Sequence, residues 1–162
     1  MSVRKVAVPR DARELSTLDH VDYEDCFVFE TNAARDRTAE QWARAILEDA
    51  PAALRRTLRS GWLSLGLKLG STTPSDRRVL GWHVRRSSPD VAILGAPSRL
   101  GFDADLLVKR QDGSMLFSTF VQVDSPAAKA LWAVLPAGHQ AVVRQVLEQA
   151  VGRDERAAQA RP

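Results

Sequence analysis

The stretch Phe102-Asp103-Ala104-Asp105-Leu106-Leu107-Val108-Lys109-Arg110-Gln111-Asp112-Gly113-Ser114-Met115-Leu116-Phe117-Ser118-Thr119-Phe120-Val121-Gln122-Val123 decides the fold. Its first half puts Phe102, Ala104, Leu106 and Val108 on one side, with Asp103, Asp105 and Lys109 on the other. Its second half groups Phe117, Thr119, Val121 and Val123, opposite Ser118 and Gln122. Period-two alternation predicts strands with one buried face. Asp112-Gly113 between two such runs is the signature of a two-residue type I′ hairpin, whose turn positions both need positive φ. That loop pairs Gln111 with Ser114, and counting outward pairs Val108 with Phe117 and Leu106 with Thr119. The apolar faces then coincide, and a slip of one residue would separate them.

Toward the C-terminus, Ser125-Pro126 supplies an N-cap serine and a first-turn proline, so one long helix is expected from there. His139 sits at the centre of its apolar face. Leu135, Val142 and Val146 lie to one side of it, Trp132, Pro136 and Val143 to the other, while Gln140, Arg144, Gln145 and Glu148 form the polar half. Residues 152–162 have no apolar stripe and are expected to be a frayed tail beyond a domain of residues 1–151. Toward the N-terminus, further strands are expected at 91–94 and 79–85, after a loop at 70–76 rich in Gly, Ser, Thr and Pro. Two helices precede that loop. Thr38-Ala39-Glu40-Gln41 has the capping-box pattern, and the helix it opens puts Trp42, Ala43, Ile46 and Leu47 on one side. Pro51 ends that helix and suits the first turn of the next. There Leu54, Leu58, Trp62, Leu65 and Leu69 fall within about 80° of arc, with Leu63 and Leu67 outside it. A first strand is expected at 25–31, after an extended lead-in over 1–20. The resulting order is strand, two helices, an antiparallel run of strands, then a helix laid across the sheet's apolar face. Its class is α+β.

With 162 residues, 44% apolar and 27% charged, the chain has an ordinary globular composition and length enough for a core without staples. No run approaches the roughly 18 apolar residues of a membrane helix. No apolar segment follows the N-terminal charges, so no secretory signal is expected, and a cytoplasmic location follows. The single cysteine, Cys26, excludes an internal disulfide and a cysteine-cluster metal site. The net charge of +3 hides an asymmetry. Residues 10–49 hold five basic and eleven acidic groups, whereas 51–86 hold eight basic groups against Asp76 alone. Such a segment can mark an anionic partner or simply form a solvated helix face. Aromatic residues do not interleave with the basic ones as stacking on single strands requires, so nucleic acid is not expected as a partner.

Several strings resemble an uncharacterised bacterial family, of the domain of unknown function 2867 type, in the START-like (SRPBCC) helix-grip superfamily, which includes the birch-pollen allergen and polyketide cyclases. They are Asp22-Tyr23-Glu24-Asp25-Cys26-Phe27, Gly66-Leu67-Lys68, Leu100-Gly101-Phe102-Asp103-Ala104 and the segment from Leu135 to Arg144. The resemblance spans about residues 6–151. It implies a curved antiparallel sheet gripping the C-terminal helix, with a hydrophobic cavity between them. Family members often carry Phe or Tyr just before the matching histidine, where this chain has Gly138. The family offers no established catalytic residue to carry over.

His139 is either a core histidine donating to a backbone or hydroxyl acceptor, or a polar anchor or proton donor at a cavity wall. Thr119 interrupts an apolar inward face and could join it. Phe102, Leu106, Phe117, Val121, Trp62 and Trp132 are the expected wall, and His83 could face either cavity or solvent. His20 reads as a surface residue, and Cys26 as an inert strand thiol. Asp103 and Asp105 share the strand face away from the core and are expected on a solvated surface. Nothing has zinc-ligand spacing, a nucleophile elbow or a phosphate loop, so no cofactor is expected. Two function classes fit best. One is a non-catalytic carrier or sensor of a small apolar or amphipathic ligand. The other is a cyclase-, dehydratase- or hydrolase-like enzyme using His139 as general acid or base. A third is an interaction module, either a homodimer through Leu63 and Leu67 or an anion-binding surface on the basic segment.

Overall fold

A computed structural model describes residues 2–162 of the chain; Met1, the start of the expected lead-in, lies outside them. The elements are β1 (Val3–Lys5), α1 (Arg10–Glu14), β2 (Tyr23–Glu30), α2 (Ala39–Leu47), α3 (Ala52–Ser64), β3 (Arg78–Val79), β4 (Trp82–Ser87), β5 (Val91–Pro97), β6 (Phe102–Gln111), β7 (Ser114–Val123), α4 (Pro126–Val134) and α5 (Pro136–Gln159). Among the described residues the strands form one seven-stranded antiparallel sheet in the order β1-β2-β7-β6-β5-β4-β3.

The β6–β7 hairpin has the register its alternation demands. Gln111 faces Ser114, Val108 faces Phe117 and Leu106 faces Thr119. Gly113 takes φ of 74°, which its missing Cβ permits, but Asp112 does not take positive φ, so the loop keeps the expected two-residue register without the expected type I′ backbone. A second tight turn, Leu80-Gly81, splits the expected strand 79–85 into β3 and β4, with φ of 48° and 91°. A left-handed leucine is unfavourable, and burial of its side chain in the core offsets the cost.

One face of the sheet carries Phe27, Phe29, Leu94, Phe102, Leu106, Val108, Met115, Phe117 and Val121, and packs beneath α2, α3 and α5. Thr38 caps α2 as its sequence requires, accepting from Gln41 N while Gln41 Oε1 accepts from Thr38 N. The indole of Trp42 donates to Ala34 O at 3.0 Å, which satisfies its only polar atom inside the core. The expected single C-terminal helix is two abutting ones. Pro136 has no N–H to offer the preceding turn, yet Leu135 keeps helical geometry and His139 N donates to Leu135 O. The expected tail is also helical, to Gln159. Arg153 donates to Ala45 O at 2.9 Å and Asp154 accepts from the Thr31 hydroxyl at 2.9 Å, so tertiary polar contacts replace the missing apolar stripe.

The other sheet face departs most from expectation. It carries a second apolar cluster, Cys26, Val28, Ile93, Leu107, Leu116 and Phe120, covered by Ala12, Val6, Val8, Leu15, Leu18 and Val21. The lead-in is therefore a strand, a short helix and a strap over the sheet. Asp105 is accordingly fully buried rather than solvated, and Asp103 is half-buried.

Candidate functional site

The apolar face of α5 and the inner faces of β2 and β7 converge on His139. Tyr23, Asp25 and Phe27 alternate inward along β2, and Thr119 projects inward from β7 directly opposite Asp25. His139 Nε2 lies 3.2 Å from Asp25 Oδ2 and 3.2 Å from Thr119 Oγ1. The Tyr23 hydroxyl donates to the same Asp25 oxygen at 2.7 Å and accepts from Gln140 Nε2 at 3.0 Å. Trp132 closes the group, with its ring centre 5.7 Å from His139 and 5.0 Å from Tyr23, and with Phe102 edge-on behind it at 5.6 Å.

The carboxylate of Asp25 is wholly buried, while the His139 side chain retains 20% exposure. A carboxylate in its ionised form only accepts, and with Asp25 in that form Nε2 carries the proton presented to it. Nδ1 then keeps a lone pair when the ring is neutral. In a nucleophile–histidine–acid relay the acid and the hydroxyl occupy different ring nitrogens. Here Asp25 and Thr119 share Nε2, so Thr119 is a second polar contact rather than an activated nucleophile. Burial, reinforced by Asp25, pushes the Tyr23 phenol well above its ordinary range, so it remains a donor. Burial, with Asp25 again adding, pushes the neighbouring Cys26 thiol up to about 12, away from thiolate chemistry. Two polar atoms of the group, Asp25 Oδ1 and Trp132 Nε1, are buried without a partner among the described residues. Uncompensated polarity of this kind is rare in a core that serves packing alone.

Two spaces meet at His139. An inner void of about 50 Å³ lies under α5, lined by Trp62, Leu106, Phe117, His139, Val146 and Leu147 among others. That is room for only a few waters. A larger groove of about 290 Å³ opens between α3 and α5, lined by Leu58, Gly61, Trp62, Gly138, His139 and Val142 among others. The two share Leu58, Trp62, His139 and Val142. The main space is therefore between two helices, not between helix and sheet, because Leu106, Phe117 and Leu147 nearly fill the expected cavity.

Of the expected wall, Trp62, Leu106 and Phe117 line these spaces. Thr119 and Trp132 reach the site through the imidazole rather than through either space, Phe102 reaches it only through Trp132, and Val121 lies one row away, opposite Tyr23. His83 alternates with Trp82 and Val84, which join the helix-covered core, so it belongs to the opposite sheet face. His20 is half exposed between Asp22 and Asp124, at 2.8 and 3.4 Å. Tyr23, Asp25 and Gln140 were missed by sequence reasoning. The signal was Tyr23-x-Asp25-x-Phe27-x-Phe29, an alternation that extends the strand two residues earlier and puts a carboxylate on its core face. Among the described residues, no three His, Cys, Asp or Glu side chains are grouped to hold a metal ion, and no helix is long and apolar enough to cross a membrane. Compared with models of known protein families and with curated proteins, the chain finds no match.

Proposed function

We propose that the chain binds a small apolar or amphipathic molecule in the groove between α3 and α5, as a carrier or sensor. Leu58, Trp62 and Val142 supply the apolar walls, and His139 supplies the polar anchor at the inner end. The observation that carries this reading is a pair of helical glycines. Gly61 on α3 and Gly138 on α5 both line the groove, and a Cβ at either would meet nothing within 4 Å. A glycine inside a helix costs about 1 kcal/mol relative to alanine. Two such glycines facing the same open space suit a groove kept wide for an occupant. The sheet order, with α2 and α3 following the first core strand and α5 on the same face, supports the helix-grip arrangement implied by the family resemblance.

The test is titration with a fluorescent fatty-acid analogue, together with native mass spectrometry of the purified protein. Saturable binding is expected. Gly138→Leu, which fills the groove while leaving the core untouched, should weaken it by about tenfold or more. Probe affinity unchanged in Gly138→Leu sinks the groove as the site.

A second reading, proton transfer by His139, is favoured by the buried Asp25 that orients its ring. His139→Ala separates the two. Retained probe binding with loss of any turnover of a bound carbonyl compound supports the enzyme, and loss of binding alone supports the anchor.

A further inference from the structure

A second concavity lies along a different face of α3, with no residue in common with the groove. It measures about 310 Å³ and is lined by Ala52, Arg55, Arg56, Arg59, Thr72 and Leu80. The three arginines fall within one arc of the helix because they follow the i, i+1, i+4 spacing. None of them has a carboxylate within ion-pair distance among the described residues. Arg55 instead donates to Glu48 O at 3.0 Å and Arg59 to Gly70 O at 3.3 Å. Those carbonyls hold two guanidinium groups in place without neutralising them. Arg44, Arg85 and Arg110, by contrast, are matched with carboxylates. The first turn of α3 adds to the field. Its N-cap is Pro51, which provides no side-chain acceptor, and no acidic residue stands in that turn. Ala52 of that turn lines the concavity, which brings the positive end of the helix to its rim.

We propose that this concavity binds a phosphate group, carried on a small molecule. Guanidinium forks match phosphate oxygens bidentately, and the hydroxyl of Thr72 adds a neutral donor. The lining contains no aromatic ring on which a base could stack. That favours recognition of the anionic group itself over recognition of a nucleotide base or a single strand. The proposal is independent of the groove and stands if the groove is empty.

The experiment is isothermal titration of the full chain with pyrophosphate at fixed ionic strength, repeated with Arg56→Gln and with Arg55→Gln/Arg56→Gln. Among the described residues Arg56 makes no hydrogen bond or ion pair, so its variant should melt as the parent does. Saturable binding is expected, weakened about tenfold by Arg56→Gln and further by the double change. No saturable heat, or equal affinity in the Arg56→Gln protein, overturns the proposal. So does tight binding of a single-stranded oligonucleotide that pyrophosphate fails to displace and that weakens steeply with salt, since that points to a backbone-tracking surface instead.

Discussion

Tyr23 is the only tyrosine in the chain, which lets one side chain report on the whole site. Its phenol is held protonated first by burial and then by Asp25, to which it donates. Its folded pKa lies above the unfolded value, so this stabilisation is complete below pH about 10 and is lost as pH rises beyond it. The tyrosinate absorbance band should therefore be absent from the native protein near pH 10.5 and appear together with unfolding. Ordinary titration in the folded state would mean that Tyr23 is not bonded to Asp25. The sequence made half of this group legible. His139 and Thr119 stand out because each breaks an apolar face whose period is readable. Asp25 did not stand out, because a carboxylate at the start of a strand looks like a boundary until its cross-strand partner is known. Gln140 was hidden for the opposite reason, since it belongs to the polar half of α5 and only the position of Tyr23 gives it a task.

At the scale of elements, local chemistry was legible wherever it was self-contained. The capping box at Thr38 and Gln41 and the Ser125 cap depend on neighbours in sequence, and the structure has both; the Asp112-Gly113 loop has its expected register but not the type I′ backbone, since only Gly113 takes positive φ. The hairpin at Leu80-Gly81 was not legible, because a buried leucine in a left-handed conformation is chosen by tertiary packing against local preference. The groove helices offer a test at this scale. If Gly61 and Gly138 are retained for the space above them and not for backbone reasons, alanine at either should be accommodated without strain. Neither glycine has positive φ. Each substitution is expected to raise stability by about 0.5–1 kcal/mol, read from urea unfolding midpoints. A loss of stability at either position would show that close packing, not an open groove, requires the glycine.

Across the whole molecule, the main surprise is that both sheet faces are buried, and the residue that fastens the second cover is Asp105. It accepts from Thr17 N at 2.7 Å, from the hydroxyls of Thr17 and Ser16 at 2.9 and 3.2 Å, and from Arg85 Nη1 at 2.9 Å. Arg85 bridges on to Asp103 at 2.8 Å. Burial works against the Arg85 charge, but its bonds to Asp103 and then Asp105 hold its pKa above the ordinary value. The guanidinium can reach from β4 to β6 only because Gly95 lies between them, where a Cβ would come within 2.0 Å of Arg85 Nε. Sequence alternation assigned Asp103 and Asp105 correctly to the face away from the helices. It could not reveal that a strap from residues 6–21 would cover that face, since the strap's apolar residues are spread without a regular period. The polar network therefore joins three parts of the chain that alternation treats separately. Asp105→Asn removes the charge that Arg85 and the strap share, leaving a part-buried guanidinium with Asp103 alone. Breaking a buried pair in this way should cost about 3 kcal/mol. The amides around Thr17 and Leu18 should also exchange with solvent faster than those of β2 and β7, because the strap is released before the sheet. A comparable loss of stability with exchange accelerated uniformly along the chain would show that Asp105 supports the sheet itself and is not the fastening of its second cover.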